Sequence, residues 1–147
     1  MYKRQELEAR ADILRNLSIV AQYTYLDTDI KESNNGDRGL PQQGAVKHSA
    51  SVWTKYSFKL SESLLANAGL GFRYYGKARS YQDDNNLGLR NPAFGMVDAA
   101  FGVDQGPWRY SVNLNNLFDK QLLLDCDGRL CYRNAERTVN VSAGYRF

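Results

Sequence analysis

Thr138-Val139-Asn140-Val141-Ser142-Ala143-Gly144-Tyr145-Arg146-Phe147 closes the chain with an unbroken alternation. Val139, Val141, Ala143, Tyr145 and Phe147 fall on one side; Thr138, Asn140, Ser142, Gly144 and Arg146 fall on the other. A period of two sends successive side chains to opposite faces of a β-strand. About ten residues is also the length of a tilted strand that crosses a bilayer, and aromatics at the end of the apolar face suit the membrane–water boundary. A soluble sandwich strand alternates as well, so the decision passes to the rest of the chain.

Six further stretches repeat the pattern. Gln5–Ala11 sets Leu7, Ala9 and Ala11 against Glu6, Glu8 and Arg10, although its helix propensity is also good. Leu17–Asp27 carries Leu17, Ile19, Ala21, Tyr23 and Tyr25 on one face, and His48–Phe58 carries Ala50, Val52, Thr54, Tyr56 and Phe58. Leu64–Tyr75 shows Ala66, Ala68, Leu70, Phe72 and Tyr74; Phe94–Val103 shows Val97, Ala99, Phe101 and Val103; Trp108–Asn115 shows Trp108, Tyr110, Val112 and Leu114. The connections run short, long, short, long, short, long, the long ones being Thr28–Lys47, Gly76–Pro92 and Asn116–Ala135. That rhythm matches outer-membrane barrels, with short periplasmic turns and long extracellular loops. With strand direction alternating, Tyr23, Tyr25, Phe72 and Tyr74 fall at one height, and Tyr56, Phe58, Phe101, Trp108, Tyr110, Tyr145 and Phe147 at the other. Ala, Val, Leu and Ile fill the middle. A bilayer sorts rings into two belts in this way, because amphipathic rings prefer both interfaces, whereas a soluble barrel has no reason to.

The expected fold is therefore all-β: an antiparallel, up-and-down transmembrane barrel wall of about seven strands. An odd number cannot close as a meander, and two open edges in lipid leave backbone groups unpaired. The chain is expected to be part of a larger barrel. The absence of an apolar leader behind Met1-Tyr2-Lys3-Arg4 fits the same expectation.

Composition agrees. A mean hydropathy of −0.55 and no long apolar run exclude a transmembrane helix but not a barrel, whose hydrophobicity alternation hides. A net charge of +3, scattered in both signs, gives no footing for nucleic acid. Cys126 and Cys131, with the sole His48 far away, do not make a Cys/His zinc site. A disulfide closing a small exposed loop is the preferred reading over a chance pair of thiols. Asp27-Thr28-Asp29 and Asp83-Asp84 lack the ligand count of a calcium loop and read as solvated carboxylates. No nucleophile stands beside a base and no phosphate loop occurs, so no enzyme is expected and no metal site is assigned.

Asn113-Leu114-Asn115-Asn116-Leu117-Phe118-Asp119-Lys120 resembles the N-L-F-D-K/R motif near the end of TonB-dependent outer-membrane receptors. Cys126 to Phe147, with its Cys-x4-Cys, Ala-Glu-Arg and terminal Tyr-Arg-Phe, resembles ferric-siderophore receptors of the ferrichrome and ferrioxamine type. Lys47-His48-Ser49-Ala50-Ser51-Val52-Trp53 is similar to their P-K-H-x-A-S-x-W strand, with Val46 in place of Pro, and Val97-Asp98-Ala99 to their V-D-A. The resemblance implies a 22-stranded barrel around an N-terminal plug, energised through the TonB complex to release a ferric siderophore inward. Residues 1–147 would be its C-terminal barrel portion, without the plug. The alternative is a free-standing small outer-membrane barrel with a structural or adhesion role.

Site expectations follow. Cys126 and Cys131 would form a disulfide at the outer rim. The family's ligand-contacting aromatic beside the first Cys is replaced by Asp127, leaving Tyr132 as the nearest ligand-binding candidate, with inward Trp53 beside it. Asn115, Asn116, Leu117, Phe118 and Asp119 carry the family motif, and Tyr145 with Phe147 resembles the signature read by the barrel-assembly machinery. The inward charges, among them Glu6, Glu8, Arg73, Asp98 and Arg109, read as a network on a wall facing water and plug. The expected surroundings are outer-membrane lipid, the plug and remaining strands, and a ferric siderophore as transported ligand; no cofactor is expected to bind directly.

Overall fold

The computed structural model describes residues 2–34, 36–79, 90–127 and 130–147, with the backbone alone for residues 90, 123–127, 130 and 131. Eleven strands follow in order: β1 (Tyr2–Leu14), β2 (Leu17–Thr28), β3 (His48–Ser61), β4 (Leu64–Tyr75), β5 (Ala78–Arg79), β6 (Arg90–Asn91), β7 (Phe94–Gln105), β8 (Trp108–Asn115), β9 (Leu123–Asp127), β10 (Leu130–Arg133) and β11 (Thr138–Tyr145). Seven form one antiparallel sheet in the order β1-β2-β3-β4-β7-β8-β11, each beside its neighbour in the chain, with β5-β6 and β9-β10 as separate two-stranded ladders.

All seven alternating stretches are strands, several longer than their sequence pattern marked. The first runs from Tyr2 to Leu14, because backbone pairing with β2 overrides the helix propensity of its Glu, Ala and Arg. β3 continues past Phe58 through a register shift between Lys59 and Ser61. Tight turns remain at Arg15-Asn16, Glu62-Ser63 and Gly106-Pro107. Gly106 takes φ +56 there, in the left-handed region where a Cβ is penalised. The short ladders lie within connections expected to be plain loops; runs of two to five residues are too short for alternation to show.

Register aligns the apolar face across the whole sheet. Ala21 pairs with Val52, Val52 with Phe72, and Phe72 with Val97; Leu70 pairs with Ala99, Ala99 with Leu114, and Leu114 with Val139. This face is not sealed inside. Leu70 and Val139 are each 55% exposed and Phe72 49%, while the buried apolar residues described are only Ala66, Ala78 and Met96. So broad an apolar surface on a seven-stranded sheet is a lipid-facing surface.

The two ring belts are present. Tyr23 and Tyr25 gather round His48 near the long connections, with centroids 6.2 and 5.3 Å from its ring. At the tight-turn end Tyr56 stacks on Phe58 at 5.7 Å, and Trp108 meets Tyr110 at 6.0 Å and Tyr145 at 4.9 Å. The sheet does not close on itself: β1 and β11 are its two edges, and every described residue of both is exposed. Two open edges argue against a free-standing barrel.

Candidate functional site

The polar face holds the candidate site, at the end of the sheet that carries the long connections. Tyr75 and Phe94 are register partners on that face, and their rings stack at 5.0 Å. They line a cleft of ≈ 400 Å³ with Arg73 and Met96 beneath. Each long connection reaches it: Gly44 and Val46 from the first, Gly76, Ala78 and Asn91 from the second, Asn134 and Ala135 from the third, with Glu136 just after it. A neighbouring groove of ≈ 240 Å³, bounded by Gln22, Thr24, Ser49 and Ser51, shares Arg73 and Tyr75 with the first. Together they make an aromatic-walled hollow with polar edges, the form of a site for an organic ligand.

The sequence reading missed Tyr75 and Phe94. The signal was there: Tyr74-Tyr75 breaks the alternation, and Phe94 has the parity of the polar face. Aromatics on the face that should be polar cannot be serving lipid.

Beneath the cleft two of the inward charges pair across neighbouring strands. Arg73 donates from Nε to Asp98 Oδ2 at 2.6 Å and from Nη2 to Oδ1 at 2.8 Å. Near the tight turns Arg109 Nε donates to Asp104 at 2.6 Å. Asp98 also accepts the backbone N–H of Asn116 at 2.9 Å, and so joins the sheet to the family motif.

That motif builds a clasp at the base of the third long connection. Asn116 and Asp119 adopt φ +54 and +51, a conformation that Asn and Asp tolerate best after Gly. Asn116 is 3% exposed, and both ends of its side-chain amide are hydrogen-bonded. Its Nδ2 donates to the Lys120 and Ala135 carbonyls at 3.0 and 3.1 Å, while its Oδ1 accepts the Lys120 N–H at 2.9 Å. Asn134 mirrors it, donating to the same two carbonyls and accepting the Leu122 N–H at 2.7 Å. Asp119 accepts the Arg137 N–H at 2.7 Å, and the Leu117 N–H reaches the Val97 carbonyl at 2.7 Å. Entry and exit of the connection are thus tied to each other and to β7. Asn134, which the motif does not include, completes the clasp and carried no signal of its own in the sequence.

Trp53 lies elsewhere on the same face, across two glycines. A Cβ built on Gly69 would stand 2.5 Å from the Trp53 ring, and one on Gly71 closer still. Tyr132 is exposed on β10, outside the cleft lining. Cys126 and Cys131 are direct register partners in the β9-β10 ladder; their side chains lie outside the described residues, as does that of Asp127. The carboxylates considered for calcium are otherwise engaged: Asp27 pairs with Lys47 at 3.1 Å and Asp29 with Lys31, while Asp83 and Asp84 lie outside the described residues. The hydrogen bond from Lys31 holds the Asp29 carboxyl below its usual range, and that to Asp27 raises the Lys47 ammonium. Among the described residues no three metal-ligating side chains stand together.

Residues 6–117 match the family model described as "TonB dependent receptor-like, beta-barrel". The chain belongs to this family. It is 36% identical over 150 residues to the ferrioxamine receptor of Yersinia enterocolitica, covering 97% of the chain and 20% of that receptor. It is 30% identical over 148 residues to the ferrichrome outer membrane transporter/phage receptor of Escherichia coli K12, covering 97% and 19%. Among solved structures, the ferric yersiniabactin uptake receptor of Yersinia pestis superposes with a TM-score of 0.80 at 19% identity, over 99% of this chain and 23% of that one. The chain therefore spans about a fifth of the length of these two curated relatives. The seven-stranded sheet is a portion of a larger outer-membrane barrel wall, lipid on one face and lumen on the other.

Proposed function

We propose that these residues form the C-terminal barrel wall of a receptor that takes up a ferric siderophore across the outer membrane. The observation that carries the reading is the lumen-side cleft, aromatic-walled and overhung by three long connections, in a family barrel wall. The ferrioxamine receptor and the ferrichrome transporter match nearly the whole chain, and both are named for iron-chelate ligands. In this reading the long connections face outward and take part in capture. Cys126 and Cys131, side by side in the backbone ladder, form a disulfide that stiffens the rim, and Tyr132 stands on that rim. Trp53 and the inward charges meet the plug, TonB supplies energy through segments outside these residues, and Tyr145 with Phe147 is read during assembly. The role is that of a receptor and transporter, with no bond made or broken in the ligand.

The test is transport. A strain lacking its own ferric-siderophore receptors, producing the intact protein, is offered radioiron as ferrioxamine or ferrichrome. The expected result is accumulation of one of the two, abolished by collapsing the proton-motive force. No accumulation above the vector control, with the protein present in the outer membrane, would refute the proposal.

A further inference from the structure

Asp98 sits where the sheet meets the clasp of the third long connection. Its side chain is 12% exposed, and its two oxygens accept three hydrogen bonds: two from Arg73 of β4, and one from the N–H of Asn116 at the end of β8. Asn116 has left-handed geometry and sits almost fully buried, so its backbone direction is not free to drift. That direction fixes where the chain leaves the sheet, and the Asn116 and Asn134 amides then hold the exit at Ala135 against the entry at Lys120. The connection bearing Cys126, Cys131 and Tyr132 is thus tied to the barrel wall by the Asp98 carboxylate, beside the backbone bond from the Leu117 N–H to the Val97 carbonyl.

We propose that Asp98 is the positioning residue of the Asn116–Ala135 connection, acting through the Asn116 N–H and steadied by Arg73. The acceptor oxygen matters more than the ion pair. Arg73 neutralises the carboxylate and keeps both oxygens oriented, but only the oxygen contacts the connection. Arg73 also lines both lumen clefts, so the anchor of the outer rim lies directly beneath the cleft the rim overhangs. The inference deepens the proposed function, since a rim set in place over the cleft is what capture there requires.

Site-mapped proteolysis tests it on the intact protein in outer-membrane vesicles, with trypsin outside and cleavage located by mass spectrometry. Arg133 reports the anchored connection; Lys31 and Arg38 report the first connection, which does not touch Asp98. Asp98→Ala is expected to raise cleavage at Arg133 about tenfold or more, the effect of losing a charged acceptor for a buried N–H, with Lys31 and Arg38 unchanged. Asp98→Asn keeps an oxygen for Asn116 and is expected to give a smaller rise at Arg133 alone; it also serves if Asp98→Ala does not assemble. The exchanged pair Arg73→Asp with Asp98→Arg restores opposite charges but offers Asn116 no acceptor, and is expected to stay as cleavable as Asp98→Ala. Unchanged cleavage at Arg133, an equal rise at all three sites, or restored protection in the exchanged pair would each overturn the proposal. Ferrioxamine uptake by the unaltered protein is scored separately, so failure of transport is distinguishable from failure of the anchor.

Discussion

Leu70→Arg tests which solvent the apolar face meets. Leu70 lies in the row Thr54–Leu70–Ala99, midway along β4 between the Tyr74 row, in the ring belt by the long connections, and the Ala66–Phe58 row, in the opposite belt. Those rows are eight residues apart. At about 3.3 Å per residue and a tilt of roughly 40°, they are separated by about 20 Å of membrane depth, close to the ~25 Å apolar band of such barrels. Leu70 is then near the bilayer midplane, where an outward Arg costs about 2–4 kcal/mol. At 1.4 kcal/mol per factor of ten, the folded-to-unfolded ratio falls roughly thirty- to several-hundredfold. Were this face in water, the same change at a half-exposed position would stay within about 0.5 kcal/mol. The control is Asn113→Arg on the opposite face, paired with Ala100 and Asn140, where a lumen-facing cation meets water. The assay is denaturant unfolding of the intact protein in lipid vesicles, read by heat-modifiable gel mobility. Equal midpoints for the two variants would refute the lipid-facing assignment.

Gly71→Ala forces the Trp53 indole off its glycine floor; a loss of about 1–3 kcal/mol and a shifted Trp emission are expected, read by denaturant unfolding and fluorescence. Deleting Phe147, whose ring meets Tyr145 at 5.1 Å, is expected to lower the amount assembled in the outer membrane, measured by fractionation against total protein. Cys126 and Cys131 are expected to resist a thiol-alkylating reagent in intact cells until a reductant is added, when both label together.

The sheet was legible because lipid and lumen enforce a period of two, and seven stretches from Gln5 to Phe147 keep it. What the pattern fixes weakly is where each strand stops, since β3 runs through its register shift at Lys59 and β1 starts before its clear alternation. The short ladders were invisible because runs of two to five residues are too short for alternation to show, and the same holds for the backbone bonds beside them: Val46 bridges Ala78, and the Gly44 N–H reaches the Arg79 carbonyl at 2.8 Å. In the site, Arg73 and Asp98 could be placed inward by parity, but their mutual bond joins strands more than twenty residues apart in sequence. The motif marked Asn116 without revealing its use. A buried amide holding both ends of a connection depends on Asn134, whose place opposite it only the folded chain sets.

The bridge between Val46 and Ala78 bears on how such surfaces are exchanged, by recombination or by design. The first and second connections share backbone bonds, so neither shapes itself alone. A chimaera that transplants one onto a foreign receptor brings half of these bonds, and the grafted loop loses the geometry they fix. Moved together, the two carry their own scaffold, which makes the pair, rather than the single loop, the sound unit to graft.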